Sequence, residues 1–392
     1  MNDLSADIGY KSINHAGEQL CGDHVDIVEQ DDDSMVIVLA DGMGSGVKAS
    51  ILSTLTAKII STMVAAGMSL DECVETIAKT LPIDQSHGVA YATFTVMRIV
   101  ANETIELIQY DNPEVLFLRN GQSAEYEKTK TVIEGKTIFY SKIPLQEGDI
   151  FVAMSDGCPY ANKEEAYNMN WSPKDIAEFI EIVSIAGYTA KGLASLLVDE
   201  CNKLYGGEPR DDVTACIVQM RKRMPLNILF GPPANRNDSE RMMRLYFSKE
   251  GRRIICGGTT SSIASRWLDK PIRSDIVMND DIGDVPPIAS LEGVDLVTEG
   301  VITMSKVASY IEDYVHDNQL YDEWSRKKDG ASRITRMMLE EATDVHFFVG
   351  RAKNPMHQNP DLPINFNVKM NIVKEIVENL KSIGKKVTVV YF

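Results

Sequence analysis

The sequence lacks the cysteine spacing that zinc sites and disulfide frameworks require. Its six cysteines among 392 residues include no Cys-x-x-Cys pair, which argues against both kinds of site. No basic segment followed by an apolar core opens the chain, so we predict no signal peptide. Lys58 and several hydroxyl residues interrupt the long apolar stretch from Ala49 to Met68, which favours a buried helix over a membrane span. We therefore expect a cytoplasmic protein with no membrane partner.

Two common nucleotide-binding motifs are also missing, because the chain contains neither GxxxxGK[ST] nor GxGxxG. Basic residues are too few to balance the acidic ones, and the formal net charge is −17. Residues 1–222 hold 17 Lys and Arg against 34 Asp and Glu, whereas residues 223–392 hold 23 of each. Excess acid opposes nonspecific nucleic-acid binding, which depends on basic side chains that neutralise phosphates. We predict no nucleic-acid partner.

The length suits two domains, and the basic segment Arg221-Lys222-Arg223, followed by Pro225, is the predicted boundary between them. The pattern before the boundary predicts many strands flanked by two helix pairs, which indicates a layered α+β sandwich over residues 1–222. The predicted helices of this domain are 47–66, 70–80, 173–187 and 189–204.

Strands and helices alternate after the boundary, which predicts a Rossmann-like α/β domain over residues 223–392 with a mostly parallel sheet. The predicted strands are 227–230, 253–256, 294–297, 345–349 and 386–391. The predicted helices are 239–249, one after Gly258, 303–315, 331–341 and 367–382.

Acidic motifs stand at the edges of four predicted strands in the first domain. They are Gly22-Asp23, Asp41-Gly42-Met43-Gly44-Ser45-Gly46, Ser155-Asp156-Gly157 and Asp211-Asp212-Val213-Thr214. Carboxylates collected at strand ends suit hard divalent cations, which take oxygen ligands. Two such cations can activate a water and clamp a phosphoryl group. The motifs therefore predict a metal-dependent phosphatase.

The same motifs resemble those of the PPM/PP2C metal-dependent Ser/Thr phosphatases, in the bacterial branch typified by the sporulation phosphatase SpoIIE. The resemblance covers about residues 1–222 and implies an αββα sandwich with two divalent cations, Mn²⁺ or Mg²⁺, at one edge. It implies that Asp41 bridges the ions, that the Gly42 carbonyl ligates one, and that Asp156 and Asp211 hold the other. Asp23 would act on a metal or its water, and Asp212 ranks behind Asp211.

The resemblance also implies the reaction and the partner. A metal-activated water would hydrolyse phosphoserine or phosphothreonine in a protein substrate, and an anti-sigma-factor antagonist is the candidate partner that the resemblance suggests. Many relatives use an early Arg to hold the phosphate, but no Arg precedes Arg98 here, so Lys48 or Lys11 is the candidate replacement. The alternative is a catalytically weak phosphatase fold that serves as a regulatory binding module.

The second domain has glycine-rich loops after several predicted strands, at the sheet edge where ligands usually bind. One loop, Gly257-Gly258-Thr259-Thr260-Ser261, opens a predicted helix, and a helix N-terminus can hold an anion. Arg266 or Arg351 would add positive charge. These residues predict a small anionic ligand, while the alternative is ordinary strand–helix turn chemistry.

Overall fold

Alternating apolar residues build two antiparallel sheets in residues 1–222, the first of two units into which the computed structural model divides. The structure describes residues 3–30, 33–69, 72–73, 75–76, 92–133, 136–161, 171–274, 288–316, 318–352 and 365–392. In the first unit the strands are β1 Leu4–Ile13, β2 Asp23–Glu29, β3 Met35–Gly42, β4 Ala92–Val100, β5 Thr104–Tyr110, β6 Leu116–Arg119, β7 Gln122–Ser123, β8 Thr129–Ile133, β9 Lys136–Pro144, β10 Ile150–Met154 and β11 Val213–Lys222. The helices are α1 Gly46–Ala65, α2 Pro173–Ser184 and α3 Ala190–Leu204.

The strands form one sheet in the order β1-β11-β10-β6-β7, called sheet A, and a second in the order β2-β3-β4-β5-β9-β8, called sheet B. Successive residues of a strand point to opposite faces. Ile37 of β3 therefore packs with Phe151 of β10 between the sheets, whereas Val38 packs against α1. Helices α2 and α3 cover the outer face of sheet A. The layers follow the order helix, sheet, sheet, helix that we predicted, in an α+β fold.

Helix α1 is long and apolar enough to cross a membrane by length and composition alone. Leu52, Ala57 and Ile60 on one face of α1 are buried against sheet B, as in the core helix of a globular domain. Helix α2 begins as its sequence predicts, because Ser172 and Asp175 form a capping box and Pro173 occupies the first turn.

The second unit, residues 223–392, alternates strands with helices. Its strands are β12 Pro225–Phe230, β13 Arg252–Cys256, β14 Arg273–Ser274, β15 Ala289–Leu291, β16 Val294–Thr298, β17 Asp344–Val349 and β18 Lys386–Tyr391. Its helices are α4 Ser239–Phe247, α5 Gly258–Leu268, α6 Val301–His316, α7 Tyr321–Arg326, α8 Gly330–Arg336 and α9 Asn365–Ser382.

One seven-stranded sheet, in the order β14-β15-β16-β13-β12-β17-β18, forms the centre of this unit. Five neighbouring strands are parallel to each other, namely β16, β13, β12, β17 and β18. β14 and β15 add an antiparallel edge. Ile228 packs with α6 and α9 on one face, and Leu229 packs with α4 and α5 on the other. The prediction of a mostly parallel sheet is confirmed.

The local predictions differ from the structure in a few places. The predicted helix 331–341 is α-helical only to Arg336 and continues as a π-helical turn over Met337–Glu341. Strands β7, β8, β14 and β15 and helix α7 were not predicted, because short elements carry little periodic signal. Most of the predicted helix 70–80 lies outside the described residues.

Candidate metal centre

Two acidic side chains of sheet B project into the space between the sheets. Leu39 of β3 is buried in this space, and Asp41, two residues further along, follows the same face of the strand. Asp23 of β2 pairs with Asp41 across the two antiparallel strands. The Gly42 N–H donates to the Gly22 carbonyl over 3.1 Å, so the pairing continues to the end of the sheet and holds the two carboxyl groups side by side.

Three acidic residues of sheet A lie where β10 ends and β11 begins. The Ser155 N–H donates to the Thr214 carbonyl over 3.0 Å, and the Thr214 N–H donates to Ser155 Oγ over 2.9 Å. The Ser155 hydroxyl also donates to the Asp212 carbonyl over 3.4 Å. These bonds place the turn that carries Asp156 beside Asp211 and Asp212.

The ends of the two sheets meet at Asp23 and Asp212. A side-chain carbon on Gly22 would lie 2.6 Å from Asp212 Oδ2, so the entry to β2 lies against this carboxylate. Burial, with a smaller contribution from the negative charge of Asp212, raises the pKa of Asp23 to about 7, and the nearby Ser155 and Thr214 side chains oppose the increase. Residues from both sheets therefore set the protonation of one carboxyl group.

Asp41 experiences the same crowding. Burial raises its pKa to about 9, and the negative charges of Asp23, Asp156 and Asp211 contribute to the increase. Like charges in a shared site disfavour ionisation. Asp41 and Asp211, which are 170 positions apart in the sequence, therefore lie within electrostatic reach of each other.

The five acidic residues differ in solvent exposure. Asp23 and Asp212 are buried, whereas Asp41, Asp156 and Asp211 are partly exposed. Both carboxylate oxygens of Asp23 and Oδ2 of Asp212 accept no hydrogen bond, because the nearby Ser155 hydroxyl donates to the Asp212 carbonyl and the Thr214 hydroxyl donates to Ser12 Oγ. A buried charged oxygen without a partner is costly. A divalent cation would supply the missing partner, because it prefers carboxylate oxygens. The residues present therefore fit the predicted ions.

The acidic groups are close without forming a finished coordination set. Within the described ranges, no group of three or more His, Cys, Asp or Glu side chains is already arranged to hold a metal ion. Mutual repulsion of carboxylates opposes such an arrangement unless a cation lies between them. The ligand roles of the five residues stay predictions.

The glycine-rich loop brings the start of α1 onto the end of β3. A side-chain carbon on Gly42 would lie 2.7 Å from the carbonyl carbon of Ala49 and closer still to its oxygen, so only glycine allows this contact. Gly44 adopts a φ of +90°. Lys48 is exposed in the first turn of α1, and its predicted phosphate-binding role stays a prediction.

Ser155 and Thr214 lie within the acidic motifs, but the sequence predicts no role for their hydroxyl groups. Period-two alternation from the buried Ala153 and Cys216 would have placed both side chains between the sheets. The sequence also gives no indication that the backbone N–H of His15 donates to Asp212 Oδ1, over 3.0 Å. That contact joins residues 197 positions apart and has no local signal.

The predicted ligand loop of the second unit joins β13 to α5. Gly257 has a φ of +120° and precedes the helix, whereas Thr260 is buried and its hydroxyl has no hydrogen-bond partner. The Ser261 hydroxyl donates to the Gly258 carbonyl over 2.9 Å, so it is already satisfied. Thr259 is exposed in the first turn. Anion binding by this loop stays a prediction.

The two arginines proposed to assist that loop make other contacts. Arg266 Nε donates to the Ser262 carbonyl over 3.3 Å on the same helix. The guanidinium of Arg351 lies 4.6 Å from the centre of the Tyr391 ring, at a distance typical of a cation–π contact.

Comparison with known proteins identifies the class of the first unit. Residues 31–221 match the family model described as Stage II sporulation protein E (SpoIIE). This part of the chain is a SpoIIE-like PP2C segment, as the motifs predicted.

Individual relatives are distant. Stage II sporulation protein E of Bacillus subtilis (strain 168) is 20% identical over 213 residues, which cover 53% of this chain and 25% of that protein. The chain therefore spans about a quarter of the length of this relative. The solved PP2C phosphatase domain and regulatory fragment of B. subtilis SpoIIE is 20% identical, covers 55% of this chain and 63% of that one, and has a TM-score of 0.45. The RsbU and RsbW domains of a Mycobacterium tuberculosis protein are 19% identical, cover 62% and 70%, and have a TM-score of 0.46.

Proposed function

We propose that residues 1–222 form a metal-dependent protein serine/threonine phosphatase of bacterial signalling. The proposal depends on one observation: carboxyl groups from four strand ends converge on one end of the two sheets, where buried carboxylate oxygens lack partners. The proposed ligands of two divalent cations, Mn²⁺ or Mg²⁺, are Asp41, the Gly42 carbonyl, Asp156 and Asp211, with Asp23 and Asp212 beneath them.

The chain itself would position this site. The paired strands β2 and β3 fix the spacing of Asp23 and Asp41, and the His15 N–H orients the Asp212 carboxylate. The half-exposed side chains of Asp156 and Asp211 face the solvent from which a substrate arrives. Bound divalent cations would lower the pKa of water and offset negative charge on the phosphoryl oxygens.

The proposed substrate is a protein that carries phosphoserine or phosphothreonine. By family resemblance, a phosphorylated anti-sigma-factor antagonist is the partner we would test first. The second unit, with its five parallel strands, is proposed to be a Rossmann-like ligand-sensing domain.

The test is Mn²⁺-dependent release of phosphate from p-nitrophenyl phosphate and from a phosphoserine peptide. We expect Asp41→Ala to abolish release, because it removes the proposed bridging carboxylate, and EDTA to do the same to the native chain. Asp199→Ala is the matched control, since Asp199 is exposed on α3, and it should keep full activity. Equal turnover by Asp41→Ala, or by the native chain in EDTA, would refute the site. Binding of Mn²⁺ without turnover would favour the regulatory binding module.

A further inference from the structure

The side-chain amine of Lys369 is buried between two strand ends of the second unit. Lys369 belongs to α9 and is only 9% exposed. Its Nζ donates to the carbonyl of Gly350, the residue after β17, and lies 5.9 Å from the centre of the Phe230 ring at the end of β12. A side-chain carbon on Gly231 would lie 2.7 Å from Nζ. The amine therefore occupies space that the missing side chain of Gly231 leaves open.

These two strands mark the point where the direction of the sheet reverses. β12 and β17 are neighbours, but the chain after β12 continues to β13 on one side, and the chain after β17 continues to β18 on the other. In open sheets of parallel strands, ligands bind at this reversal, outside the carboxyl ends of the strands. Gly231 and Gly350 are the first residues beyond those ends.

The charge of Lys369 has no counterpart in the part of the chain that the structure describes, where no acidic side chain forms an ion pair with its amine. Burial lowers the pKa of Lys369, with no acidic neighbour to oppose the shift. A buried ammonium group without a counter-charge is unfavourable, and a single carbonyl acceptor satisfies one of its three N–H donors. An anion would supply both the charge and further acceptors.

The close approach of backbone to the amine indicates a compact ligand. Gly231 has a φ of +81°, and a side-chain carbon on Gly350 would overlap the Pro232 carbonyl. Glycine at these two positions lets the two strand ends approach each other beside the amine, and lysine binds phosphate as a point charge. We propose that Lys369 is the charged contact of a binding site for a small phosphate- or diphosphate-bearing molecule, at the ends of β12 and β17.

Isothermal titration calorimetry with inorganic pyrophosphate tests this site. The experiment uses the full chain with Asp41→Asn, in EDTA, so that the first unit cannot bind the probe through a metal. We expect saturable binding that Lys369→Met weakens at least about tenfold, the effect of losing one charge-assisted hydrogen bond. Lys374→Met, on the same helix but 73% exposed at its side chain, should bind as tightly as the parent. No saturable binding by the parent, or equal binding by Lys369→Met, would overturn the proposal.

A second measurement needs no variant and covers the case in which Lys369→Met does not fold. The native chain in EDTA is labelled with acetic anhydride, with and without saturating pyrophosphate, and modification is quantified by peptide mass spectrometry. We expect pyrophosphate to slow labelling of Lys369 several-fold and to leave Lys374 unchanged. Unaltered labelling of Lys369 would contradict the site. Parallel runs with inorganic phosphate and ADP separate a free anion from a nucleotide. Neither result depends on phosphatase activity.

Discussion

Substitution of Gly42 by alanine tests the contact that joins the acidic strand end to α1. The added carbon would meet the backbone carbonyl group of Ala49 at 2.7 Å or less, and backbone cannot rotate away as a flexible side chain can. Forcing extra atoms into packed structure costs about 1–3 kcal/mol, and we expect the upper end of that range. For a domain of this size, about 3 kcal/mol corresponds to a fall in Tm of roughly 6–12 °C.

Gly44→Ala is the matched control in the same loop. No atom lies within 4 Å of the position its side chain would occupy, but its φ is +90°, so the cost is conformational, about 1–2 kcal/mol. We would measure both variants by differential scanning calorimetry in EDTA, with hydrogen exchange of β3 and α1 to identify the transition of the first unit. A Tm for Gly42→Ala within about 2 °C of the parent, or a larger fall for Gly44→Ala, would refute the proposed contact.

Two further predictions concern charge. Asp344→Ala should destabilise the second unit by about 3 kcal/mol in urea unfolding, because buried Asp344 accepts two hydrogen bonds from Arg223. The control is Asp322→Ala, which breaks an exposed ion pair and should change the stability by less than about 1 kcal/mol. In EDTA, the stability of the first unit should fall from pH 5 to pH 8. In the folded state Asp23 and Asp41 keep their protons up to about pH 7 and 9, whereas the same carboxyl groups in the unfolded chain lose their protons near pH 4. The folded state therefore binds more protons across that interval, and raising the pH favours unfolding. Asp41→Asn should flatten this dependence, and a slope unchanged in Asp41→Asn would contradict the shared acidic cluster.

The strand and helix pattern was largely predictable from sequence. The sequence predicts strands over 92–100 and 104–110, and β4 and β5 have these bounds, because both segments are rich in β-branched residues. The start of α2 was predictable from the Ser172-Pro173 capping signal. Strand composition and helix capping depend on residues within about ten positions of each other, so both can be recognised without knowledge of the fold.

The acidic motifs were also visible in sequence, but their relative depth was not. Alternation places Asp23 and Asp41 on inward faces, yet only the packing of sheet A on sheet B makes Asp23 buried and leaves Asp41 partly exposed. The resemblance ranks Asp212 behind Asp211 as a metal ligand. In the structure Asp212 is more buried than Asp211, and its carboxylate accepts a hydrogen bond from the distant His15 N–H.

Sequence alone therefore determined most of the longer helices and strands, where the carboxylates stand on the strands, and the SpoIIE-like character of the first unit. Tertiary structure decided which carboxylates share one electrostatic environment, and it singled out Lys369, one of several lysines on α9, by burying its amine. The physical reason is range: alternation and capping depend on neighbours in the chain, whereas desolvation and charge coupling depend on atoms that folding brings together.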